Sequence, residues 1–587
     1  MKKSILTPLQ GACEYTTYAY DEWGALTNTV YSDGTPTVSV RNDALGRQVG
    51  AHDAAGVTTF AYDVYGANTN ETIVGVAGTN VLERFTDAYG RDVGYALNGE
   101  RRTVISRDPA TGRIITMRVA GCTNDFAWTY HPGCDLKRTL RYPNGALVTW
   151  EYEAQRNLMT FVSNDVYSAF LYTYDAAGRR VSKNDERYFY NARGELTLAT
   201  NVVTGAEFAY RYDDIGNRLW SREFGTNCTY VANGLNQYTG IVRGGVSERS
   251  AFDLDGNQTN VVTATGEWAV EYNGENRPVR WTRTLDGATV LMAYDRMGRR
   301  VMKDDETFVY DGYLNVSRTV WDPTEPVATR PLVWLDVGKD SYYFHDGNKN
   351  VVGLVSGNGL EWNCSTYDYA PYGASLSLAD ANPWRFSSEY RDAILELSYY
   401  NYRHYNGMVG RWLSRDRNEE RGGLNLFEAV SNAPHELCDF LGLKCDKYGS
   451  PRVVETKIDL GAWSEWKKVV VFVDARERAL SDLPILFPDG GINISAVTCD
   501  CVYKIVETRS RNVEIRERKL QTYRCEFKEN CNTTSLTYEE DLGWSSRTVQ
   551  ENDAKSDNVS FSVRPFGGGI AGNPIDCFTP CRLAPPS

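Results

Sequence analysis

No uninterrupted apolar stretch of about 18 residues occurs in the 587-residue sequence, which therefore predicts no membrane-spanning helix. Proline is scarce, with 20 residues against 51 glycines, so the chain has many flexible turns and few rigid ones. The net charge of −13 argues against a nucleic-acid-binding surface spread over the whole chain. None of the five histidines follows His435. Residues 444–587 therefore contain no histidine-dependent nuclease, no Ser–His or Cys–His hydrolase and no His-ligated metal site.

Tyrosine is abundant, with 38 residues, while 42% hydrophobic and 24% charged residues are typical of a globular protein. Many tyrosines and glycines with little helical patterning predict a β-rich fold. At the N-terminus, Met1-Lys2-Lys3 resembles the start of a signal peptide, but the next stretch is short and polar, and Pro8 interrupts it. We expect a secreted or cell-surface protein whose export route is not evident from the N-terminus.

A repeat dominates the sequence between residues 21 and 311. The full pattern is an aromatic residue, an acid, two variable residues and a glycine, although Asn42 and Thr86 stand at the aromatic position of two copies. The clear copies have their acid at Asp21, Asp43, Asp63, Asp87, Asp175, Asp213 and Asp295. Degenerate copies have Asp108, His131, Glu153, Asn191, Asn233, Asp253, Asn273 and Asp311 at that position. The mean spacing of about 21 residues fits two short strands and two turns per repeat. The acid is expected to accept backbone hydrogen bonds and open a turn, and the glycine to supply a positive φ.

These units resemble the Tyr-Asp (YD) repeats of RHS proteins, insecticidal toxin-complex C subunits and teneurins. The resemblance covers residues 15–443. It implies an all-β fold in which a long sheet spirals into a hollow shell, formed here by residues 1–381. Periodicity alone predicts only a solenoid-like or meandering sheet. Because the repeats are few for a closed shell, we expect either partial enclosure or a missing upstream half.

A denser motif follows in residues 382–443, which resemble the RHS repeat-associated core, the segment that plugs one end of the family's shell. The matching residues are Arg385-Phe386-Ser387, Tyr399, Tyr400, Arg403, Tyr405, Gly410 to Asp416, Gly422 to Phe427, Asn432, Pro434 and Asp439 to Leu443.

The resemblance implies self-cleavage after the closing Gly-Leu by a pair of aspartates that works like an aspartyl protease. Carried over by position, the pair is Asp416 and Asp439, with Arg415 orienting one carboxylate, and the cut falls between Leu443 and Lys444. Two neighbouring carboxyl groups do not both ionise easily, so one of them activates water while the other polarises the peptide carbonyl.

Departures from the family pattern leave a second interpretation open, in which both aspartates are ordinary turn residues. Arg417 and Phe440 follow the two aspartates, where the family often has proline, and Glu419 replaces a usual glycine. Asn406-Gly407 replaces a usual Asp-Pro pair. The missing prolines loosen turn geometry but remove no catalytic group.

Residues 444–587 lack the repeat and are expected to form a small, β-rich, variable C-terminal domain. Seven of the thirteen cysteines lie there: Cys445, Cys499, Cys501, Cys525, Cys531, Cys577 and Cys581. Disulfides within the tail are the first interpretation, with reduced thiols or a metal site as alternatives. The odd count leaves one thiol free or paired elsewhere, for example with Cys438. The sequence shows no catalytic motif in this tail.

Two functions fit these observations. In the first, the shell encloses its own C-terminal domain, releases it by self-cleavage and delivers it as a secreted toxin or effector, with secretion machinery and an immunity protein as partners. In the second, the repeats form an adhesive or structural surface that binds carbohydrate or a cell surface, without an enzymatic payload. Neither function calls for a cofactor or a metal.

Overall fold

A computed structural model of the protein describes most of the repeat region and the backbone of the tail strands. The described residues are 3–4, 15–165, 168–325, 330–335, 340–357, 362–377, 381–419, 423–439 and 441–443, with the backbone of 446–447, 452–460, 467–479, 497–529 and 532–563. The chain divides into two compact units, residues 1–450 with 521–540, and residues 451–520 with 541–587.

In the described residues from 3 to 412 of the first unit, six antiparallel sheets follow one another, and within each sheet every strand pairs with its neighbour in sequence. The first sheet contains β1 (Lys3–Ser4), β2 (Tyr15–Tyr20), β3 (Leu26–Tyr31), β4 (Val38–Asn42), β5 (Gln48–Asp53), β6 (Gly56–Tyr62), β7 (Asn68–Gly75), β8 (Gly78–Thr86), β9 (Asp92–Leu97) and β10 (Glu100–Arg101). The second contains β11 (Thr103–Arg107), β12 (Ile114–Val119), β13 (Phe126–Tyr130), β14 (Lys137–Arg141), β15 (Leu147–Tyr152), β16 (Met159–Asn164), β17 (Ser168–Tyr174), β18 (Arg180–Lys183), β19 (Glu186–Tyr190), β20 (Leu196–Asn201), β21 (Glu207–Tyr212), β22 (Arg218–Glu223), β23 (Thr226–Ala232), β24 (Tyr238–Arg243) and β25 (Val246–Arg249).

Four smaller sheets complete this unit. They are formed by β26 (Asn260–Thr263), β27 (Gly266–Tyr272), β28 (Pro278–Arg283), β29 (Thr289–Tyr294), β30 (Arg300–Lys303) and β31 (Glu306–Thr307); by β32 (Tyr310–Asp311) and β33 (Leu314–Asn315); by β34 (Thr319–Trp321), β35 (Pro331–Trp334), β36 (Ser341–His345), β37 (Val351–Gly357) and β38 (Trp362–Thr366); and by β39 (Tyr390–Asp392), β40 (Leu397–Tyr400), β41 (Arg403–Asn406) and β42 (Arg411–Trp412). Short 3-10 turns lie at Phe386–Ser388 and Val430–Asn432. The prediction of an all-β fold is confirmed.

The repeat motif forms the turn that its chemistry predicts, as the copy at Asp63 shows. The Asp63 amide donates to the carbonyl of Ala67 at 3.0 Å, and the Gly66 amide donates to the carbonyl of Asp63 at 3.1 Å. The Asp63 carboxylate accepts the amides of Tyr65 and Ala67, both at 2.9 Å. Gly66 has a φ of 88°, which a residue without a Cβ adopts at low cost. Asp and Gly therefore fix the turn together.

Copies without the glycine keep the turn when another residue takes the left-handed conformation. Asn236 and Asn276 have φ values of 61° and 60°. A further turn of this kind begins at Asp346. The sequence pattern does not predict it, because Lys349, with a φ of 64°, stands at the glycine position. Asp311, in contrast, lies within the short strand β32 and accepts a hydrogen bond from Arg84.

The repeat tyrosine has a structural role that sequence reasoning missed. Its hydroxyl donates to a backbone carbonyl of the preceding repeat and so connects neighbouring repeats. These bonds join Tyr62 to Gln48, Tyr130 to Ile114, Tyr174 to Met159, Tyr212 to Leu196, Tyr272 to Gln258, Tyr294 to Pro278 and Tyr369 to Val351, at 2.6 to 3.0 Å.

Hydrogen bonds across long sequence distances show that the chain returns alongside its own first sheet. The Gly274 amide donates to the Thr35 hydroxyl at 2.8 Å, 239 residues earlier in sequence. The Arg296 amide donates to Asp53 at 2.9 Å, 243 residues earlier. These contacts are those expected of a sheet that winds into a shell.

The buried core lies between successive parts of this winding. Trp268 and Trp281 are fully buried in a cluster that also contains Trp384 and Leu413, so the 382–443 segment packs directly against the repeats. In the described part of the chain, no helix has the length and apolar character that crossing a bilayer requires.

The tail is β-structured in its described backbone. Strands β43 (Asp446–Lys447), β44 (Arg452–Leu460), β45 (Lys467–Ala479) and β47 (Asn532–Val563) each pair with β46 (Val497–Glu529). The predicted strands at Val469 to Val473 and Val559 to Val563 lie within β45 and β47. The tail cysteines' side chains lie outside the described residues, so their predicted pairing stays a prediction. Within the described residues, Cys438 forms no disulfide.

Candidate cleavage site

The two predicted aspartates lie in the segment that follows the sheet β39–β42, and both are buried. Asp416 lies four residues after the end of β42, the last strand of this sheet, and its amide donates to the carbonyl of Leu426 at 2.9 Å. Asp439 lies close to the end of the 382–443 segment. Their side chains are 5% and 8% exposed, which separates both of them from bulk water.

Each aspartate uses one carboxylate oxygen to build a local turn. Asp416 Oδ1 accepts the amide of Asn418 at 2.7 Å. Asp439 Oδ1 accepts the amides of Leu441, Gly442 and Leu443 at 3.2, 2.8 and 2.9 Å. These turns resemble the Asp turns of the repeats. Both aspartates are therefore turn formers through one carboxylate oxygen, Oδ1, and this role leaves Oδ2 unexplained.

The second oxygen of each carboxylate faces the same arginine, Arg403. Arg403 Nη2 lies 2.7 Å from Asp416 Oδ2 and 3.8 Å from Asp439 Oδ2. The structure therefore brings Asp416 and Asp439 together, although 23 residues separate them in sequence. If the two aspartates served only to form turns, their second carboxylate oxygens would not need to face the same arginine.

The environment of Asp439 favours a protonated carboxyl. Burial raises the pKa of Asp439 to about 6, and the charge of Asp416 contributes in the same direction. The Arg403 charge and the hydrogen bond from the Leu443 amide act against this rise in pKa. A carboxyl group that keeps its proton to about pH 6 can act as a general acid under mildly acidic conditions.

The predicted cleavage point lies next to this pair. Leu443 is buried, and its amide is bound to Asp439 as described above. Gly442 has a φ of 76°, and a Cβ at this position would lie 2.9 Å from the carbonyl oxygen of Tyr400. The turn therefore requires glycine for its backbone conformation and for space. Lys444 lies outside the described residues.

Arg415, which the family resemblance nominates as the orienting arginine, has a different environment. It is exposed, and its side chain fills the space that a Cβ at Gly256 would occupy. The arginine between the two carboxylates is Arg403. The core motif of the sequence includes it but predicts no role for it. Its sequence signal was its place within the Tyr-rich stretch from Tyr399 to Tyr405.

Glu419 shows the structural consequence of one departure from the family pattern. It stands where the family usually has glycine, and it adopts a φ of 54°. A side chain in this left-handed region costs about 1 kcal/mol relative to glycine. Within the described residues, no group of three or more His, Cys, Asp or Glu side chains is arranged to hold a metal ion.

Comparisons with known proteins show what the chain is similar to. No family model matches the sequence. The chain is 24% identical over 478 residues to toxin subunit YenC1 of Yersinia entomophaga, covering 70% of this chain and 46% of YenC1. It is 23% identical over 313 residues to double-stranded DNA deaminase toxin A of Burkholderia cenocepacia (strain H111), covering 44% of this chain and 21% of that toxin. The chain thus spans about half or less of the length of these relatives.

Among solved structures, the TcdB2–TccC3 crystal structure has a TM-score of 0.53 at 16% identity, covering 73% of this chain and 27% of the other. This likeness concerns the fold. It agrees with the winding sheet and with the Tyr-Asp turns described above. The repeats, the winding sheet and these relatives together show that the chain is similar to toxin subunits of the RHS-type, YD-repeat kind.

Proposed function

We propose that this protein is a toxin-type RHS shell that cuts its own chain between Leu443 and Lys444 and so releases its C-terminal segment. The observation that supports this most directly is the convergence of Asp416 and Asp439 on Arg403, beside the turn that ends at Leu443. Because the pair is buried, the reaction is confined to the chain's own peptide bond.

The proposed chemistry is hydrolysis by a carboxyl pair. Asp416 takes a proton from a water molecule, whose oxygen forms a bond to the carbonyl carbon of Leu443. The bond from this carbon to the Lys444 nitrogen then breaks, and Asp439 donates its proton to that nitrogen. A proton returned from Asp416 to Asp439 restores the pair, and the products are a Leu443 carboxyl group and a Lys444 amine.

The released segment is the proposed effector, held by the shell until delivery. The relatives of the chain include a toxin subunit and a double-stranded DNA deaminase toxin, which supports a toxin-type function. In this proposal the 382–443 segment is the plug, and residues 444–587 are the variable domain. The protein is secreted, and its partners are its own C-terminal domain, secretion machinery and an immunity protein.

A second candidate function, adhesion through the repeats, is favoured by one surface feature. Four turns of the first sheet expose an apolar side chain at the same position: Trp23, Leu45, Tyr65 and Tyr89 are 84, 78, 93 and 83% exposed. A contiguous exposed apolar surface marks a binding site for another protein or a ligand, so these four side chains are the candidate adhesive residues. This function needs no cleavage.

The two candidates are distinguished by the integrity of the purified chain. We expect the wild-type protein to separate into fragments ending at Leu443 and beginning at Lys444, as identified by intact-mass spectrometry. Asp416→Asn should keep the chain at full length. The matched control is Asp63→Asn, because Asp63 builds a similar turn but lies in the first sheet. An intact wild-type chain, or equal cleavage of Asp416→Asn, would contradict the proposal.

A further inference from the structure

A lysine and two carboxylates from distant parts of the chain meet inside the first unit. Lys137 is the first residue of β14, and it lies 185 residues before Asp322, which directly follows β34. Lys137 Nζ lies 3.2 Å from Asp322 Oδ2 and 2.7 Å from Glu325 Oε1. The three side chains are 16, 1 and 11% exposed. The lysine nitrogen is thus held against two carboxylates in a site with little access for water.

We propose that Lys137 and Asp322 join in an intramolecular isopeptide bond, an amide between the lysine amine and the aspartate carboxyl group, with Glu325 as the proton carrier. The bond ties β14 of the second sheet to the turn that follows β34, and so closes this part of the winding covalently. This inference goes beyond the proposed function, because the bond uses none of the residues that are proposed for cleavage.

The contacts of Asp322 give its two oxygens different roles. Oδ1 accepts the Thr324 amide at 2.9 Å and the Thr324 hydroxyl at 2.6 Å. Two fixed donors on one oxygen stabilise the negative charge that develops there when a nucleophile attacks the adjoining carbon. Oδ2 faces Lys137 and Glu325 and is the leaving oxygen. The carboxyl group is therefore arranged for attack by the lysine nitrogen.

The reaction is a condensation that releases one water molecule. Glu325 Oε1 takes a proton from the Lys137 ammonium group, and the resulting amine forms a bond to the carboxyl carbon of Asp322. The bond from this carbon to Oδ2 then breaks. Oδ2 leaves as water with two protons that come from the ammonium group through Glu325, which ends as the carboxylate it was at the start. Because the groups are held about 3 Å apart, the reaction needs no external reagent.

Charge and burial favour the amide over the ion pair. Burial lowers the pKa of Lys137, but the charges of Asp322 and Glu325 raise it above its ordinary value. The starting state is therefore an ammonium group between carboxylates, and such buried charges carry a desolvation cost that an uncharged amide avoids. Arg330 Nε and Lys349 Nζ each bind Glu325 at 3.0 Å, so the proton carrier keeps its position during the reaction.

Two other largely buried lysine–aspartate pairs serve as internal controls. Lys183 Nζ lies 3.3 Å from Asp346, and Lys303 Nζ lies 3.0 Å from Asp392. In the described part of the chain, neither ammonium group has a second carboxylate within 4.0 Å. Since both pairs lack a proton carrier, we expect no covalent bond in either.

Mass spectrometry of the denatured full-length protein tests the inference. The wild-type chain should be lighter than its sequence by one water molecule, and its digest should contain a linked pair of peptides that carry Lys137 and Asp322. Lys137→Arg keeps the charge but lacks the amine, and Glu325→Gln lacks the proton carrier, so both should have the full mass. Lys183→Arg is the matched control and should keep the loss of water. If the chain is cut after Leu443, the fragment that ends there carries the loss.

The outcomes separate this inference from the proposed function. A wild-type chain with the full mass of its sequence overturns the inference, whether or not the chain is cut after Leu443. A loss of water that persists in Lys137→Arg, or that maps to other residues, overturns it as well. A bond that forms as completely in Glu325→Gln as in the wild type overturns the role of Glu325 as proton carrier. A linked peptide pair in a chain that is never cut supports the inference and contradicts only the proposed cleavage.

Discussion

The Asp439 carboxylate accepts the backbone amide proton of Leu443 at 2.9 Å, so the aspartate binds the residue after which the chain is proposed to be cut. This bond joins two residues that are four positions apart and holds the backbone of Leu443 beside the Asp439 carboxylate. The same oxygen also binds the amides of Leu441 and Gly442. Asp439 thus has the Asp-x-x-Gly pattern of a repeat turn and also lies beside the proposed cleavage point.

Cleavage should depend on pH through the proton of Asp439. The pKa of this carboxyl is raised to about 6, so Asp439 is mostly protonated below that pH and mostly deprotonated above it. We expect the rate to fall about tenfold for each pH unit above about 6, because only the protonated fraction reacts. Incubation of the full-length chain in a series of buffers, followed by gel densitometry, measures this profile. A rate that rises with pH across the same range would contradict the assignment of Asp439 as the acid.

Gly442→Ala should affect both stability and cleavage, whereas Gly90→Ala should affect stability alone. The two glycines have φ values of 76° and 75°, so both alanines have a similar left-handed cost of about 1 kcal/mol. A Cβ at Gly90 has open space around it, but at Gly442 it lies 2.9 Å from the Tyr400 carbonyl oxygen. Thermal unfolding and cleavage rate are measured for both variants. Equal cleavage in the two would show that the turn geometry is not limiting.

Tyr272→Phe should destabilise the shell, while Tyr65→Phe should not. The Tyr272 hydroxyl donates to the Gln258 carbonyl at 2.9 Å, and its loss should cost about 1 kcal/mol of unfolding free energy. Tyr65 is 93% exposed at a turn tip, so its hydroxyl is available to water in either state. Denaturant unfolding followed by tyrosine fluorescence compares the two variants. If the unfolding free energy of Tyr272→Phe equals that of the wild type, the hydroxyl bond to the preceding repeat does not explain the tyrosine of the repeat.

Arg84→Met should loosen the contact between the first sheet and the later strands. Arg84 Nη2 lies 2.9 Å from Glu71 and 2.7 Å from Asp311, which belongs to the returning part of the chain. Loss of these largely buried, charge-assisted bonds should cost about 1–3 kcal/mol. The control is Arg118→Met, because Arg118 is 71% exposed and pairs with nearby Asp125. Limited proteolysis and unfolding measurements should show a change for Arg84→Met alone.

Much of the fold follows from local sequence chemistry. The spacing of Asp and Gly predicts each turn, because an Asp carboxylate binds the backbone amides next to it and glycine supplies the left-handed residue. Those interactions span only four residues, so they depend little on the rest of the chain. The turn at Asp346 was missed for a local reason, since Lys349 takes a conformation that its side chain disfavours.

The sequence by itself determined the all-β class and the repeat turns, because short-range hydrogen bonds carry that information, and its dense motif predicted the two candidate aspartates. Only the tertiary structure decided which groups meet. The tyrosine bonds to the preceding repeat, the return of the chain past its first sheet and the convergence of Asp416 and Asp439 on Arg403 all join residues distant in sequence. The different environments of Arg415 and Arg403 have the same cause. Adjacency in sequence placed an arginine beside Asp416, but the packing of β41 placed another between the two carboxylates.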